Sequence, residues 1–542
     1  MTETSTDYVV VGAGSAGCVV ANRLSAASNT DVVVLEAGPE DKDKFVHIPA
    51  GFSKLFRSEL DWDYDTEPQA ELAGRRIFWP RGRMLGGSSS MNAMMWVRGF
   101  AADYDDWAEA AGPGWSFDSV VDTFRRIENI EGATESDEGS GGPLHVSKQR
   151  SPRSITGAYL ESAAALGLST ERANLPTPKG MTETMVNQKR GARWSCADAY
   201  LRPAMSRPNL TVVTEAQATR VLFEGTRAVG VEYSKDGALH TVRASKEVIL
   251  SGGAINTPQL LMLSGIGAPE HLAEHGIDVV HAAPEVGENL MDHLVSALGY
   301  GVQSDTLFTA EKIPELINYL ARRRGMLTSN VAEAYGFVRS RDSLDLPDIE
   351  LLFAPAPFFD EGLIPADSHA AILASILLKP ESRGRISLRS SAPLDKVVVD
   401  PRYLSDPGGV DRAAMLSGLR YCADIAQTEP LKSRLGEMVR PVLRNSEALD
   451  EALSESLETM SHTLYHPVGT ARMGSDAASV VDPGVAGARR PGSACGGCVR
   501  DADDHPWPHP CTVGAHRREA VGVRARLTRV SGTTPASFRS TV

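Results

Sequence analysis

Tyr8–Val11 is a short β-branched run with no polar alternation, the pattern of a parallel strand buried on both faces. Apolar positions at Val19, Val20, Ala21 and Leu24 then follow a helical spacing, and a second run, Asp31–Leu35, ends at Glu36. Further along, Leu210–Thr214, Arg220–Phe223 and Val229–Tyr233 predict strands separated by turn residues, and Pro347–Phe353 and Gly384–Leu388 predict strands of a second sheet. The proline-punctuated aromatic stretch Phe353–Phe359 is suited to lining an apolar cavity, although plain packing is the commoner role for any one ring. No repeat of solenoid period is evident, and no apolar run is long enough for a membrane span.

Composition narrows the class. The 542 residues are 42% hydrophobic and 23% charged, as in ordinary globular proteins, and this length predicts more than one domain. A formal net charge of −14 argues against a nucleic-acid partner. Six cysteines are too few for a disulfide scaffold, and the N-terminus lacks a basic region and cleavage site, so a cytoplasmic protein is expected. The charge is uneven: residues 484–542 hold nine Arg, no Lys and four acids, a balance of +5 against −19 for the rest. That segment also holds three of the six cysteines.

The first strand leads into Gly12-Ala13-Gly14-Ser15-Ala16-Gly17, and the second ends in Glu36-Ala37. Gly12 permits the tight turn, Gly14 lets a diphosphate approach the backbone, and Gly17 lets the helix pack on the sheet. The helix N-terminus faces the phosphates, with Ser15, Ala16 and Ala37 flanking the cradle, and Glu36 is placed to accept hydrogen bonds from a ribose diol. A bare Gly-rich turn can be purely structural; with both strands and the acid in place the unit reads as a dinucleotide site, which alone does not separate NAD from FAD.

The segment Pro80–Asn92, containing Met84, Gly86, Gly87, Ser88, Ser89 and Ser90, offers backbone and hydroxyl donors beside a planar ligand. With Trp96–Gly99 and Asp103–Trp107 after it, Gly82–Asp105 resembles the first signature of the glucose–methanol–choline family of FAD-dependent oxidoreductases. Gly253–Gly267 resembles the second signature, and Gly191–Pro203, Val286–His293 and Tyr465–Gly474 resemble further family blocks. The similarity runs from about Asp7 to Pro483 and is nearest in style to alcohol and choline dehydrogenase-like members and hydroxymethylfurfural oxidases.

This resemblance implies an α/β protein with a discontinuous Rossmann-like FAD-binding domain and an α+β substrate domain built on an antiparallel sheet. The expected division is 1–295 mainly FAD-binding, 296–454 mainly substrate-binding, 455–483 returning to the FAD domain, and 484–542 aberrant. It implies cofactor contacts from Met84, Gly87, Ser88 and Asn92, from the backbone of Val221 toward the adenine, and from Pro467. Some members attach the flavin through a histidine where this chain has Met91, so FAD is expected to be non-covalent.

The implied reaction is oxidation of a primary alcohol to an aldehyde by hydride transfer to the flavin, with oxygen or a quinone-type compound as electron acceptor. Such a reaction needs a base of suitable pKa for the hydroxyl proton. A lone histidine is as a rule a core or surface residue, but the family motif Tyr465-His466-Pro467-Val468-Gly469 makes His466 the expected general base. His462 is expected to cap or pack, and His293, in its NLMDH block, to be structural. Rival readings are a hydroxynitrile-lyase-type flavoprotein and an inactive FAD-binding protein.

Family members pair the catalytic histidine with a downstream His or Asn in a block resembling MPTxxxGHTNAP, which this chain lacks. Cys495, Cys498, His505 and His509 have zinc-ligand residue types, but six residues between the pairs is short for a finger, and no metal is expected. The codons available for Asp501–Thr512, read one nucleotide out of register, permit MPTITRGHTHAP. The sequence after about Gly484 therefore reads as a shifted frame, with the missing residue falling near Pro508, which neither donates nor accepts a proton.

Overall fold

The computed structural model describes residues 3–441, 449–484 and 499–501, the last three by backbone alone. The zinc-type pattern and the shifted frame expected of the tail lie outside the described residues.

Strand β1 (Glu3–Val11), helix α1 (Ser15–Leu24) and strand β2 (Val32–Leu35) form the expected opening unit. Strand β3 is Met181–Glu183. Strands β4 (Leu210–Val213), β5 (Gln217–Glu224), β6 (Arg227–Lys235) and β7 (Ala238–Leu250) continue the chain. The first sheet has the order β4-β2-β1-β7-β6-β5. Its left part is parallel, and β6 and β5 fold back antiparallel. Residues 499–501 run parallel to Val248–Leu250 on the free part of β7. Val9, Val10, Val34 and Val248 have no more than 1% exposure, which is why these strands read as continuous apolar runs.

The second sheet is antiparallel throughout. Its strands are β8 (Leu294–Val302), β9 (Ala334–Val338), β10 (Ile349–Ala354), β11 (Ala370–Leu377), β12 (Leu435–Arg440) and β13 (His462–Thr463). The order is β12-β8-β11-β10-β9-β3, with β13 on β8. One face packs under the helix Val410–Ala426, where Met415, Leu419 and Cys422 share a core with Ile349, Leu351 and Leu373. The opposite face carries Leu352, Ala354, Ile372 and Ala374 toward the first sheet. Both faces are covered, so β10 and β11 lack the polar alternation usual in antiparallel strands.

Arg385–Ser387 forms a strand as expected, paired among the described residues with Val398–Asp400 in a two-stranded ribbon apart from the second sheet. Phe353 points away from the cavity and stacks on Tyr159, ring centroids 4.6 Å apart, whereas Phe358 and Phe359 line the cavity. Period-two alternation along β10 sends Phe353 to the helix side while Ala354 faces inward.

Candidate active site

A cavity of about 370 Å³ lies between the two sheets. At one end, β1 delivers the chain to Gly12, whose φ of +93° suits glycine, and a Cβ there would meet the Ser251 carbonyl oxygen at 2.4 Å. A Cβ on Gly17 would stand 1.9 Å from the Gly12 carbonyl oxygen, so turn and helix are in backbone contact. Helix α1 starts at Gly14 with no side-chain cap and no acid in its first turn, leaving N-terminal donors to an anion. Glu36 is pinned at the end of β2: its carboxylate accepts from the Ala13 N–H at 2.8 Å and the Gly38 N–H at 2.9 Å. Burial pushes the Glu36 carboxyl up to about 7, against those two N–H groups.

The Gly86–Asn92 turn closes over this cradle. A Cβ on Gly87 would come within 2.8 Å of the Gly14 Cα, so only glycine lets the two backbones meet. Asn92 accepts from Arg193 Nη1 at 2.7 Å and from the Met94 N–H at 3.0 Å, which leaves its NH₂ group as the donor facing the cavity. Backbone donors, an uncapped helix and a buried carboxylate in one trough fit a dinucleotide.

Of the sequence-predicted cofactor residues, Gly12, Gly14, Ser15, Glu36, Ala37, Gly87, Ser88, Asn92 and Pro467 line the cavity, as does Met91. Gly17 and Ala16 act one layer back in α1, and Met84 is fully buried behind the turn. Val221 is a correction. It is buried off the cavity, with its N–H donating to Ser264 Oγ at 2.9 Å, while Ala216, Gln217 and Ala218 line the wall. The β5–β6 register shifts between Ala218 and Arg220, so counting along β5 misplaces its inward residue.

At the other end stands a histidine ridge. Residues 289–293 and 463–470 are zipped together: Met291 and Val468 exchange both backbone hydrogen bonds at 2.9 Å, and the Leu464 N–H donates to the His293 carbonyl at 2.8 Å. The His466 N–H donates to Asp292 Oδ1 at 2.8 Å, and Arg81 Nη2 donates to the preceding Tyr465 carbonyl at 2.8 Å. Tyr465 is held at φ +68°, a left-handed conformation that these clamps maintain. Asp292 is buried, which raises its pKa, and it also accepts from the Tyr403 hydroxyl, itself bonded to Trp79 Nε1 at 3.1 Å.

His466 Nδ1 lies 3.1 Å from His293 Nδ1, with the rings at 86°. One nitrogen must donate and the other accept, so the pair fixes its own tautomers and presents the Nε2 atoms elsewhere. His462 also lines the cavity. Its Nδ1 hydrogen-bonds the Thr463 carbonyl at 2.8 Å, and burial lowers its pKa to about 4. His293, expected to be structural, and His462, expected to cap or pack, line the cavity together with His466. Asp292, Tyr403 and Arg81 were not foreseen; the adjacency of Asp292 and His293 was the available signal.

GMC oxidoreductase family models match residues 6–295 and 380–486. The chain belongs to the GMC oxidoreductase family. An uncharacterized GMC-type oxidoreductase of Mycobacterium tuberculosis is 63% identical over 486 residues, covering 89% of this chain and 92% of the relative. An alcohol dehydrogenase (acceptor) of Pseudomonas putida is 41% identical over 488 residues, covering 88% of each. Among solved structures, pyridoxine 4-oxidase of Mesorbium loti superposes with a TM-score of 0.84 at 27% identity, covering 97% of this chain and 100% of that one. Formate oxidase of Aspergillus oryzae RIB40 gives 0.88 at 25% identity, covering 98% and 99%. In this GMC oxidoreductase no described helix is long and apolar enough to cross a membrane.

Proposed function

We propose that this protein oxidises uncharged primary alcohols to aldehydes with non-covalently bound FAD, His466 acting as the general base. One observation carries the reading: a clamped histidine and a dinucleotide cradle line one cavity. The cradle residues would hold the FAD diphosphate at the α1 N-terminus and the ribose at Glu36. Bound FAD supplies a two-electron acceptor for the hydride of the carbinol carbon.

The chain's own residues do the rest. Asp292 and Arg81 fix the backbone around His466 so that its ring stays on the cavity wall. With the His466 Nδ1–H donating to His293 Nδ1, the His466 Nε2 is the atom that takes the hydroxyl proton. From the second sheet, Val295, Ala297, Leu352, Ala354, Ile372 and Ala374 supply an apolar wall that excludes water and suits an aliphatic or benzylic substrate better than a cationic one. Met91 stands where some relatives carry a flavin-linking histidine, and a thioether forms no such bond. We keep the expected division into 1–295 mainly FAD-binding, 296–454 mainly substrate-binding and 455–483 returning to the FAD domain as part of the proposal.

Anaerobic addition of benzyl alcohol or an aliphatic primary alcohol to the frame-restored protein is expected to bleach the flavin with formation of the aldehyde, and the chain as written is expected to show little or no such activity. Acid precipitation is expected to leave the yellow colour in the supernatant. Cyanohydrin cleavage without bleaching would favour the lyase reading, and colour in the pellet would refute non-covalent binding.

A further inference from the structure

Helix α2 (Ile313–Arg322) has apolar residues at 313, 316, 317 and 320, a spacing that ordinarily marks a core-facing stripe. Here the stripe faces solvent: Ile313 is 72% exposed, Leu316 40%, Ile317 60% and Leu320 63%. The helix is anchored through its other face by Tyr319, 1% exposed, whose hydroxyl donates to the His47 carbonyl at 3.1 Å. A four-residue apolar stripe in water is unfavourable unless something covers it.

Charge indicates what covers it. Lys312, Arg322, Arg323 and Arg324 flank the stripe and are all exposed. The two acids are already engaged: Glu311 pairs with Lys54 at 2.7 Å, and Glu315 accepts from the Met326 N–H at 3.0 Å. Residues 311–324 thus carry a balance of +2 in a chain of net charge −14. A second copy of the chain would bring two such basic stripes together, whereas an anionic surface complements them.

The position of the stripe adds a second argument. Ser53 and Lys54 join it to the cavity mouth: Lys54 holds Glu311, and a Cβ on Gly362 would lie 3.2 Å from Ser53 Oγ. Neighbouring Phe52 lines the cavity and packs against Phe358, ring centroids 5.6 Å apart. Asp360 both lines the cavity and is exposed, so the cavity opens beside the 358–364 loop. That loop adds two more exposed apolar side chains, Leu363 at 39% and Ile364 at 56%.

We propose that this surface docks the protein on an anionic lipid bilayer, with α2 lying in the headgroup plane and the cavity mouth turned toward the lipid. The stripe enters the acyl boundary, and Arg322 and Arg324 reach lipid phosphates, while Arg323 lies over the Tyr319 ring, 4.6 Å from its centroid. The acidic remainder of the chain is repelled, which sets the orientation.

The test is co-sedimentation of the full chain with vesicles of phosphatidylglycerol and phosphatidylcholine, against vesicles of phosphatidylcholine alone. Each basic side chain near an anionic surface adds about fivefold to partitioning. Binding is expected to the mixed vesicles only and to weaken with salt. Ile317→Glu with Leu320→Glu, and separately Arg322→Glu with Arg324→Glu, should each lower partitioning about tenfold or more. Thermal unfolding of both variants should match wild type, because all four side chains are exposed. Absence of vesicle binding, equal binding to both vesicle types, or a stable dimer that Ile317→Glu with Leu320→Glu dissociates without any lipid binding would overturn the proposal.

Discussion

In the dinucleotide cradle, Ala13 and Glu36 are hydrogen-bonded across 23 residues of chain; at the histidine ridge, His293 and His466 meet across 173. The cradle is a local device whose glycines, helix start and acid come in one strand–turn–helix–strand unit. The ridge exists only once two distant segments are zipped together and clamped by Asp292, Tyr403 and Arg81. Damage to the cradle should therefore act on cofactor retention, and damage to the ridge on turnover with the cofactor still bound.

The largest expected effect concerns the ridge. The sequence beyond about Gly484 lacks the second His or Asn expected from the family pattern, and an acid/base or donor group commonly contributes about 10²–10⁴-fold. On the reading that the sequence after about Gly484 is a shifted frame, restoring that frame should raise alcohol turnover by about that factor, as a comparison of the two proteins for FAD content and rate will reveal. Equal activity would mean that the ending as written is a functional one.

Gly17→Val should be nearly as severe, but through the cradle. Its Cβ would meet the Gly12 carbonyl oxygen at 1.9 Å, which no rotamer relieves. Expected are loss of flavin absorbance from the purified protein and destabilisation of more than about 4 kcal/mol, read by denaturant titration. A variant that retains stoichiometric flavin would detach Gly17 from the site.

Tyr403→Phe sharpens the comparison from the ridge side. It removes one donor to Asp292, a hydrogen bond worth about 1 kcal/mol net, or roughly fivefold. Turnover should fall by about that factor and its pH profile should move, with flavin content unchanged. Loss of flavin in this variant would show that ridge and cradle are not separable.

Glu350 provides a test that involves stability alone. It lies on the cavity-side face of β10, fully buried, with neither carboxyl oxygen bonded among the described residues. Burial pushes its pKa up to about 8 from the ordinary 4.5. Between those values the folded chain keeps a proton that the unfolded chain has lost, so stability declines as pH rises through the window and is unpenalised below it. Glu350→Leu should remove that decline and raise stability at the alkaline end by on the order of a few kcal/mol, measured by thermal unfolding across the window. An unchanged pH profile would indicate a partner for the carboxyl.

The same contrast explains what was legible in the sequence. Gly12, Gly14, Gly87, Glu36 and His466 were readable because short motifs fix their backbones or because family blocks carry them. Val221 lies off the cavity while Ala218 lines it, because the register of β5 shifts between Ala218 and Arg220, and no spacing rule reports such a shift. His293 was undervalued because its partner is far away in the chain. The α2 stripe shows the limit of periodicity: its spacing promises burial, yet Ile313 and Leu320 face water, and only the adjoining arginines hinted at another environment.

Single-turnover flavin reduction under anaerobic conditions isolates the role of His466 in the chemical step. The frame-restored protein and its His466→Ala variant would be mixed with a saturating primary alcohol while flavin absorbance is followed. The account predicts equal flavin content in both and reduction slowed by about 10²-fold or more in the variant, the usual scale for loss of a general base. Reduction of the His466→Ala flavin at the wild-type rate would remove His466 from the chemistry and contradict the account.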